Sequence, residues 1–179
     1  FILKCDVKTF FDSIDHNVLM SLTQKKIKDN EAIWLINKII QSFSTELNRG
    51  LPLGNITSQL FANIYLNEFD QFVKHKLKIK HYIRYCDDFV ILSDNNEYLQ
   101  DIISKISNFL KQKLKLSLHS DKIEIRKYHQ GIDFLGYVNF PYHRILRTKT
   151  KKRMLRKIKL KTLDFNKGKL SKDSFDQTL

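Results

Sequence analysis

Two adjacent aspartates, Asp87 and Asp88, interrupt a run of aromatic and β-branched residues, YIRYCDDFVIL at 82–92. Two unit charges about 4 Å apart repel by roughly 4 kcal/mol at an effective dielectric near 20. A divalent cation would convert that repulsion into binding energy if a third oxygen ligand lay nearby. Taken alone, the pair also fits a hairpin turn, because aspartate is common in turns between apolar strands.

A third carboxylate, Asp6, ends the apolar segment ILKCD. Asp6 and Asp87 each follow a cysteine, Cys5 and Cys86, and consecutive side chains of a strand point to opposite faces. If both cysteines face the core, Asp6 and Asp87 share the other side of the sheet. Such hard oxygen ligands suit Mg²⁺. Two such ions about 3.5 to 4 Å apart are a recurring device for phosphoryl transfer.

Hydrophobic periodicity predicts the elements that must position these carboxylates. The predicted strands span about 1–7, 82–86, 88–93, 122–127, 132–140 and 143–147. The predicted helices span about 15–27, 30–43, 57–77 and 97–115. Strands separated by helices and followed by an antiparallel hairpin predict an α+β fold, in which helices pack on one face of an antiparallel sheet and the other face stays open.

Composition limits the class of protein. The chain has 179 residues, of which 42% are hydrophobic, so it can bury a core. Its two cysteines are too few for a disulfide framework. No segment approaches the roughly 20 apolar residues of a membrane span, and no signal peptide is recognisable, which predicts a cytoplasmic protein without a membrane partner. Because the chain starts without Met, we expect a piece of a longer protein.

The net charge of +13 is concentrated near one end of the chain. Residues 144–161 hold ten Lys or Arg and no acidic residue, which is typical of a surface that binds a polyanion. A membrane-surface helix and a merely solvated basic face are the alternatives. The candidate nucleic-acid contacts are Arg147, Lys149, Lys151, Lys152, Arg153, Arg156 and Lys157.

Five segments together resemble the A to E motifs of reverse transcriptases, in the same order. They are CDVKTFFDSIDH, GLPLGNITSQLFANIYLNEFD, YIRYCDDFVIL, LSLHSDKIEI and IDFLGY. The resemblance covers residues 1 to about 142 and implies the palm of a bacterial reverse transcriptase. It implies that residues 143–179 begin a thumb, and that the fingers of the family would precede Phe1.

The resemblance implies an RNA-directed DNA polymerase that transfers nucleotides from a dNTP to a primer 3′ hydroxyl. Two Mg²⁺ ions, with Mn²⁺ as a substitute, would be held by Asp6, Asp87, Asp88 and the backbone carbonyl of Val7. The implied partners are an RNA template, a DNA or RNA primer and a dNTP.

The same resemblance implies further nucleotide contacts. Phe11 falls where the family places the bulky side chain beneath the sugar, which excludes a 2′ hydroxyl; the alternative is a core phenylalanine. Lys122 matches the basic residue of the D motif, which is proposed to assist the leaving pyrophosphate, although on sequence alone it could equally be a solvated lysine. Leu53, Gly54 and Gln59 belong to the B motif.

The B motif departs from the Gln-Gly and Ser-Pro that are usual in group II intron and retron enzymes. This chain has Leu53-Gly54 and Ser58-Gln59, as in reverse transcriptases of diversity-generating retroelements, which usually employ an accessory protein. Leucine cannot form the hydrogen bonds of glutamine. We therefore hypothesise low fidelity, specifically at template adenines. The alternative is a group II intron or retron-type enzyme of ordinary fidelity, in which Leu53 simply packs in its loop.

A non-catalytic RNA-binding module is a second hypothesis from another class. A sheet with helices on one face resembles RNA-recognition domains, and Tyr82, Tyr85 and Phe89 could stack on bases. Such a module has no need of three carboxylates. A nucleotide cyclase is disfavoured, because its Gly-Gly-Asp/Glu-Glu-Phe hairpin is missing.

Overall fold

A computed structural model describes residues 1–176 of the chain. The chain forms two compact units, Phe1–Lys127 and Tyr128–Leu179. The sequence-based boundary between residues 142 and 143 stays a prediction. The last residues of the predicted thumb segment, 177–179, lie outside the described residues.

The first unit is built on a four-stranded antiparallel sheet with the order β2-β3-β1-β4. Its strands are β1 (Ile2–Asp6), β2 (His81–Tyr85), β3 (Asp88–Leu92) and β4 (Glu124–Arg126). These bounds agree with the predicted strands to within about two residues, because alternation of apolar and polar residues is a local signal.

Five α-helices complete the first unit. They are α1 (Phe10–Ser13), α2 (His16–Lys26), α3 (Asn30–Gln41), α4 (Ile56–Gln71) and α5 (Asn96–Leu114). A wider, π-helical turn over Phe72–Lys76 extends α4, so the predicted helix at 57–77 is irregular at its end. The short α1 was not predicted, because four residues are too few to show a period.

Side-chain caps define where the longer helices begin. The Asp15 carboxylate accepts from the N–H of Val18 at the start of α2, and the Asn95 side chain accepts from the N–H of Tyr98 at the start of α5. At the start of α3, the Asp29 carboxylate accepts from the N–H of Ala32. Such caps satisfy donors that a helix leaves unpaired and contribute about 1 kcal/mol each.

The hydrophobic core lies between one face of the sheet and the helices. Leu3 and Cys5 of β1 and Phe89 and Ile91 of β3 are fully buried there. They belong to one core cluster with apolar residues of α2, α4 and α5. The predicted α+β fold, with helices packed on one face of an antiparallel sheet, is confirmed.

The opposite face of the sheet is only partly open. Ile83 and Tyr85 of the edge strand β2 are 60% and 63% exposed. Ile2 and Val90, on the same face of the central strands, are buried. The prediction of an open face therefore holds at the edge strand and is wrong at these two central positions, which neighbouring strands flank on both sides.

In its described residues, 128–176, the second unit contains a 3₁₀ turn (Tyr128–Gln130), a small antiparallel sheet and two α-helices. Its elements are β5 (Ile132–Phe134), β6 (Tyr137–Asn139), β7 (Arg144–Leu146), α6 (Thr148–Asn166) and α7 (Lys172–Asp176). The predicted single strand at 132–140 is wrong: a turn with positive φ at Leu135 and Gly136 divides it into a hairpin. Within residues 1–176, no helix is long and apolar enough to cross a membrane.

Candidate active site

The hairpin between β2 and β3 presents the paired aspartates. Tyr85 and Asp88 are the last residues paired across it, so Cys86 and Asp87 form a two-residue loop. Cys86 has a φ of 53°, in the left-handed region that non-glycine residues rarely adopt. Cys86 packs against the core, as predicted, but from this turn rather than from a strand, because strand alternation does not extend through a tight turn.

Asp6 lies beside this hairpin, as predicted, but in a different register. The Cα partner of Asp6 across β1 and β3 is Asp88, not Asp87. Asp87 is linked to β1 through its backbone, since the N–H of Val7 donates to the Asp87 carbonyl at 3.3 Å. The ends of β1 and the hairpin thus bring Asp6, Asp87 and Asp88 together.

The three carboxylates influence one another electrostatically. Burial, together with the negative charge of Asp6, raises the pKa of Asp87 above its ordinary value. Burial also raises the pKa of Asp88, and repulsion from Asp6 and Asp87 adds to it, although Lys4 opposes the shift. The cluster therefore carries an excess of negative charge that a cation would stabilise.

Lys122 is the predicted basic residue of this cluster. Its ammonium donates to Asp6 Oδ2 at 3.0 Å, and that hydrogen bond raises the pKa of Lys122. Lys122 ends a 3₁₀ turn (Ser120–Lys122) that is tied to β1, because the N–H of His119 donates to the Asp6 carbonyl. The structure thus places the Lys122 ammonium against Asp6, while 52% of the side chain remains exposed to solvent.

The donor set fits a hard divalent cation. Three carboxylates and a backbone carbonyl supply the oxygen ligands that Mg²⁺ prefers. In the part of the chain that the structure describes, no three His, Cys, Asp or Glu side chains are already arranged around a common metal position.

A cavity of about 430 Å³ adjoins the hairpin and contains four of the predicted nucleotide contacts. Phe11, Leu53, Gly54 and Gln59 line it. Leu53 is 75% exposed, so it does not simply pack in its loop. The cavity wall also includes Tyr85 and Cys86 of the hairpin, as well as Asn55, Ser58, Asn63 and Arg84.

In the second unit, α6 carries the predicted basic surface. Six of the seven candidates, Lys149, Lys151, Lys152, Arg153, Arg156 and Lys157, are exposed along this helix. Four of them line a shallow groove together with Thr148. Arg147 differs, because its guanidinium forms an ion pair with Asp133 of β5.

Sequence reasoning missed Asp70 and Arg84, which lie behind the hairpin. Arg84 donates to both oxygens of Asp70 and to the carbonyl of Cys86. A signal was available, because alternation along β2 places Arg84 on the helix-facing side, where an arginine needs a partner.

The hypothesis of an RNA-binding module requires three aromatic residues to stack on bases, and two of them are not available for such stacking. Phe89 is fully buried, and the Tyr82 hydroxyl donates to Asp70 on the helix side of the sheet. Only Tyr85 is exposed as that hypothesis requires.

The chain matches a known protein family over most of its length. The family model described as Reverse transcriptase (RNA-dependent DNA polymerase) matches residues 1–139, which include every carboxylate and every cavity residue named above. The chain belongs to the reverse transcriptase family.

Similar reverse transcriptase sequences come from introns. The group II intron-encoded protein LtrA of Lactococcus lactis subsp. cremoris is 29% identical over 74% of this chain and 33% of its own length. The putative COX1/OXI3 intron 2 protein of Saccharomyces cerevisiae is 24% identical over 75% of this chain and 23% of its own length. This chain spans less than half the length of the curated relatives that it matches.

The reverse transcriptase fold is also found among solved structures. Apo telomerase from Candida tropicalis, truncated from its C-terminal domain, matches with a TM-score of 0.60 over 82% of this chain and 35% of that chain, at 16% identity. At this identity the likeness concerns the fold, and it confirms the predicted polymerase palm. The retroelement subtype stays a prediction.

Proposed function

We propose that this reverse transcriptase domain catalyses RNA-templated DNA synthesis by metal-dependent nucleotidyl transfer. The observation that carries the proposal is the convergence of Asp6, Asp87 and Asp88 next to a cavity lined by Phe11 and Leu53. In the reaction, the primer 3′ oxygen bonds to the α-phosphorus of a dNTP and pyrophosphate leaves. Positioning and charge neutralisation account for most of the catalysis in such transfers.

Residues of this chain have separate tasks in the proposed reaction. Asp6, Asp87, Asp88 and the Val7 carbonyl would hold Mg²⁺, with Mn²⁺ as a substitute. When bound, such ions neutralise phosphate charge and activate the attacking hydroxyl. Lys122, held beside Asp6, faces the charge of the leaving pyrophosphate. Phe11 lines the cavity where it excludes a 2′ hydroxyl, and Gly54 and Gln59 line the same wall.

The proposed partners are an RNA template, a DNA or RNA primer and a dNTP. The exposed lysines and arginines of α6 support a contact with the nucleic-acid backbone, because phosphates are bound mainly by such cations. An accessory protein and a cytoplasmic location belong to the proposal as well. The palm at 1–142 and the start of a thumb from 143 remain its domain assignment.

Primer extension by the full-length protein on a defined RNA template with Mg²⁺ tests the proposal. We expect Asp87→Asn to lower the rate by more than about 100-fold, since even outer partners of metal ligands cost about 10- to 100-fold when removed. Asp101→Asn is the matched control, because Asp101 is an exposed carboxylate of α5 paired with Lys105. Wild-type RNA binding without any carboxylate-dependent incorporation would favour an RNA-binding module instead.

Low fidelity at template adenines is the finer part of the proposal. It is supported by the exposure of Leu53 in the cavity wall, where an apolar side chain replaces a hydrogen-bonding glutamine. The intron-encoded relatives favour the alternative, an enzyme of ordinary fidelity.

Sequencing of the cDNA from a Leu53→Gln variant separates these two alternatives. We expect errors at template adenines to fall by about tenfold for each 1.4 kcal/mol of regained discrimination. Leu47→Gln, at a leucine that is 91% exposed and does not line this cavity, is the control. An unchanged error spectrum in Leu53→Gln would remove Leu53 from the account of fidelity.

A further inference from the structure

We propose that Asp70 and Arg84 act as one positioning device, which holds the Cys86–Asp87 turn in the conformation that presents the carboxylates. This inference rests on the proposed function, because it assigns a catalytic effect to two residues that do not belong to the carboxylate cluster. Asp70 lies near the end of α4 and Arg84 lies on β2, so the device links a helix to the hairpin.

The guanidinium of Arg84 forms a bidentate ion pair with the carboxylate of Asp70. Its Nε donates to Asp70 Oδ1 at 2.8 Å, and one terminal nitrogen donates to Asp70 Oδ2 at 2.5 Å. Such bidentate pairs fix orientation as well as distance. Only 10% of the Arg84 side chain is exposed, so solvent does little to loosen the pair.

The Asp70 carboxylate is itself held in place by a further hydrogen bond. The Tyr82 hydroxyl donates to Asp70 Oδ1 at 2.7 Å, so three donors converge on one carboxylate. The Tyr82 ring packs edge-on against Phe69, the buried neighbour of Asp70 on α4. The position of Arg84 is therefore set by the core rather than by the flexible stem of the side chain.

The other terminal nitrogen of Arg84 reaches the turn. It donates to the carbonyl of Cys86 at 2.9 Å. Positive φ at the first residue only of a two-residue loop is typical of a type II′ turn, which favours glycine at that position. Cys86 is not glycine, so an external hydrogen bond that holds its peptide helps to maintain a conformation that the residue itself disfavours.

A purely stabilising role accounts less well for these contacts. Replacing a buried ion pair by apolar residues is often neutral or stabilising, so the pair by itself is weak support for a role in stability. The bond to Cys86 adds a directional contact one residue before Asp87. We infer that Arg84 transmits the position of α4 to the catalytic turn.

Single-nucleotide incorporation by the full-length protein tests the device. We expect Arg84→Lys and Asp70→Asn each to lower kcat by up to about 100-fold, the loss that a 1 Å misplacement can cause, while KM for the dNTP changes little. The double variant should be no slower than the slower single variant, because both substitutions break one unit. Lys105→Gln, which breaks an exposed ion pair on α5, is the matched control and should retain wild-type kcat.

A rescue variant distinguishes positioning from general stability. Cys86→Gly in the Arg84→Lys background should recover part of the lost kcat, because glycine adopts positive φ without an external tie. Cys86→Ala in the same background should not. A loss of kcat that simply follows the folded fraction, measured by circular dichroism, or an equal response to Gly and Ala would overturn the proposal.

Hydrogen–deuterium exchange separates failure of this inference from failure of the proposed function. Peptides covering residues 85–88 should exchange faster in Arg84→Lys and Asp70→Asn than in wild type, whether or not the protein polymerises. If the wild-type protein were inactive but the two variants still exchanged faster than wild type at residues 85–88, the polymerase proposal would be refuted and the structural link between Arg84 and the turn would be retained. Unchanged exchange and unchanged kcat in an active enzyme would refute the positioning device.

Discussion

Phe10 and Phe11 show how two neighbouring residues of one type acquire different roles. Their rings meet edge-on, with centroids 5.3 Å apart. Phe10 is 2% exposed and belongs to the core, whereas Phe11 lines the cavity beside the hairpin. The direction of each side chain, rather than its chemistry, therefore separates a packing residue from a candidate sugar gate.

We predict that Phe11→Val increases incorporation of ribonucleotides relative to deoxynucleotides by about 10- to 100-fold, because a smaller side chain leaves space for a 2′ hydroxyl. The measurement is the ratio of kcat/KM for rNTP and dNTP in single-nucleotide incorporation. Phe10→Leu is the neighbouring control and should affect thermal stability rather than this ratio. A ratio that responds equally to both substitutions would assign Phe11 to the core.

At the scale of elements, one buried contact network joins the start of α2 to the end of α5. Asp15 caps α2 and also accepts from the Lys115 ammonium at 2.6 Å. The backbone N–H of Asp15 donates to the Tyr65 hydroxyl, which donates in turn to the Leu114 carbonyl at 2.7 Å. Helices far apart in the sequence are thus held in fixed relation beneath the sheet.

We predict that Asp15→Asn lowers the free energy of unfolding by about 1 kcal/mol at pH 7, because Asn keeps the cap but loses an ion pair with a half-exposed lysine. Asp15→Ala should cost about 1 kcal/mol more, since the cap is lost as well. Urea unfolding measures both. Equal losses in the two variants would show that the ion pair, not the cap, stabilises α2.

The same ion pair predicts a pH dependence of stability. Burial alone would raise the pKa of Asp15, but the hydrogen bonds from Lys115 and the Val18 N–H hold it below its ordinary value. A lowered pKa in the folded state stabilises the fold above the unfolded value of about 3.9, and the effect is lost as the pH falls through the folded pKa. The stability difference between wild type and Asp15→Asn should therefore shrink in acid, and a constant difference would contradict this account.

At the scale of the whole molecule, acidic and basic side chains are concentrated in different segments of the chain. Three carboxylates concentrate negative charge at the hairpin, whereas ten of the 32 lysines and arginines lie within 144–161. The proposed function would use both, because carboxylates bind metal cations and basic side chains bind phosphates.

We predict a weaker salt dependence of template–primer binding in the combined variant Lys152→Gln, Arg153→Gln and Arg156→Gln. The slope of the logarithm of the binding constant against the logarithm of the salt concentration should become smaller in magnitude by about 2 to 3. The measurement is fluorescence anisotropy of a labelled template–primer at several salt concentrations. These residues share the groove on α6, so their effects should act on one nucleic-acid backbone.

A triple substitution on α5 provides the charge-matched control. Lys105→Gln, Lys111→Gln and Lys113→Gln remove the same charge from exposed positions of a helix that packs on the core side of the sheet. This variant should keep the wild-type salt dependence. An equal decrease in both triple variants would indicate a general charge effect rather than binding along α6.

Local signals in the sequence predicted most of the elements and the composition of the site. Alternation of apolar and polar residues located the strands of the first unit's sheet, and helical periodicity located four of the unit's helices, because each signal depends on neighbouring residues. The one long strand predicted at 132–140 was wrong, since a turn that needs positive φ at Leu135 leaves little trace in a hydrophobic pattern.

The sequence by itself determined the family, the carboxylates and the basic segment, because motif order, residue type and charge are properties of the chain. Only the tertiary structure decided that Asp88 lies opposite Asp6, that Phe11 and Leu53 share one cavity, and that Arg84 ties α4 to the turn at Cys86. These relations depend on strand register and on one residue with positive φ, and a shift of register by one residue would reverse every side chain of a strand. Neither register nor left-handed backbone is encoded in residue type alone.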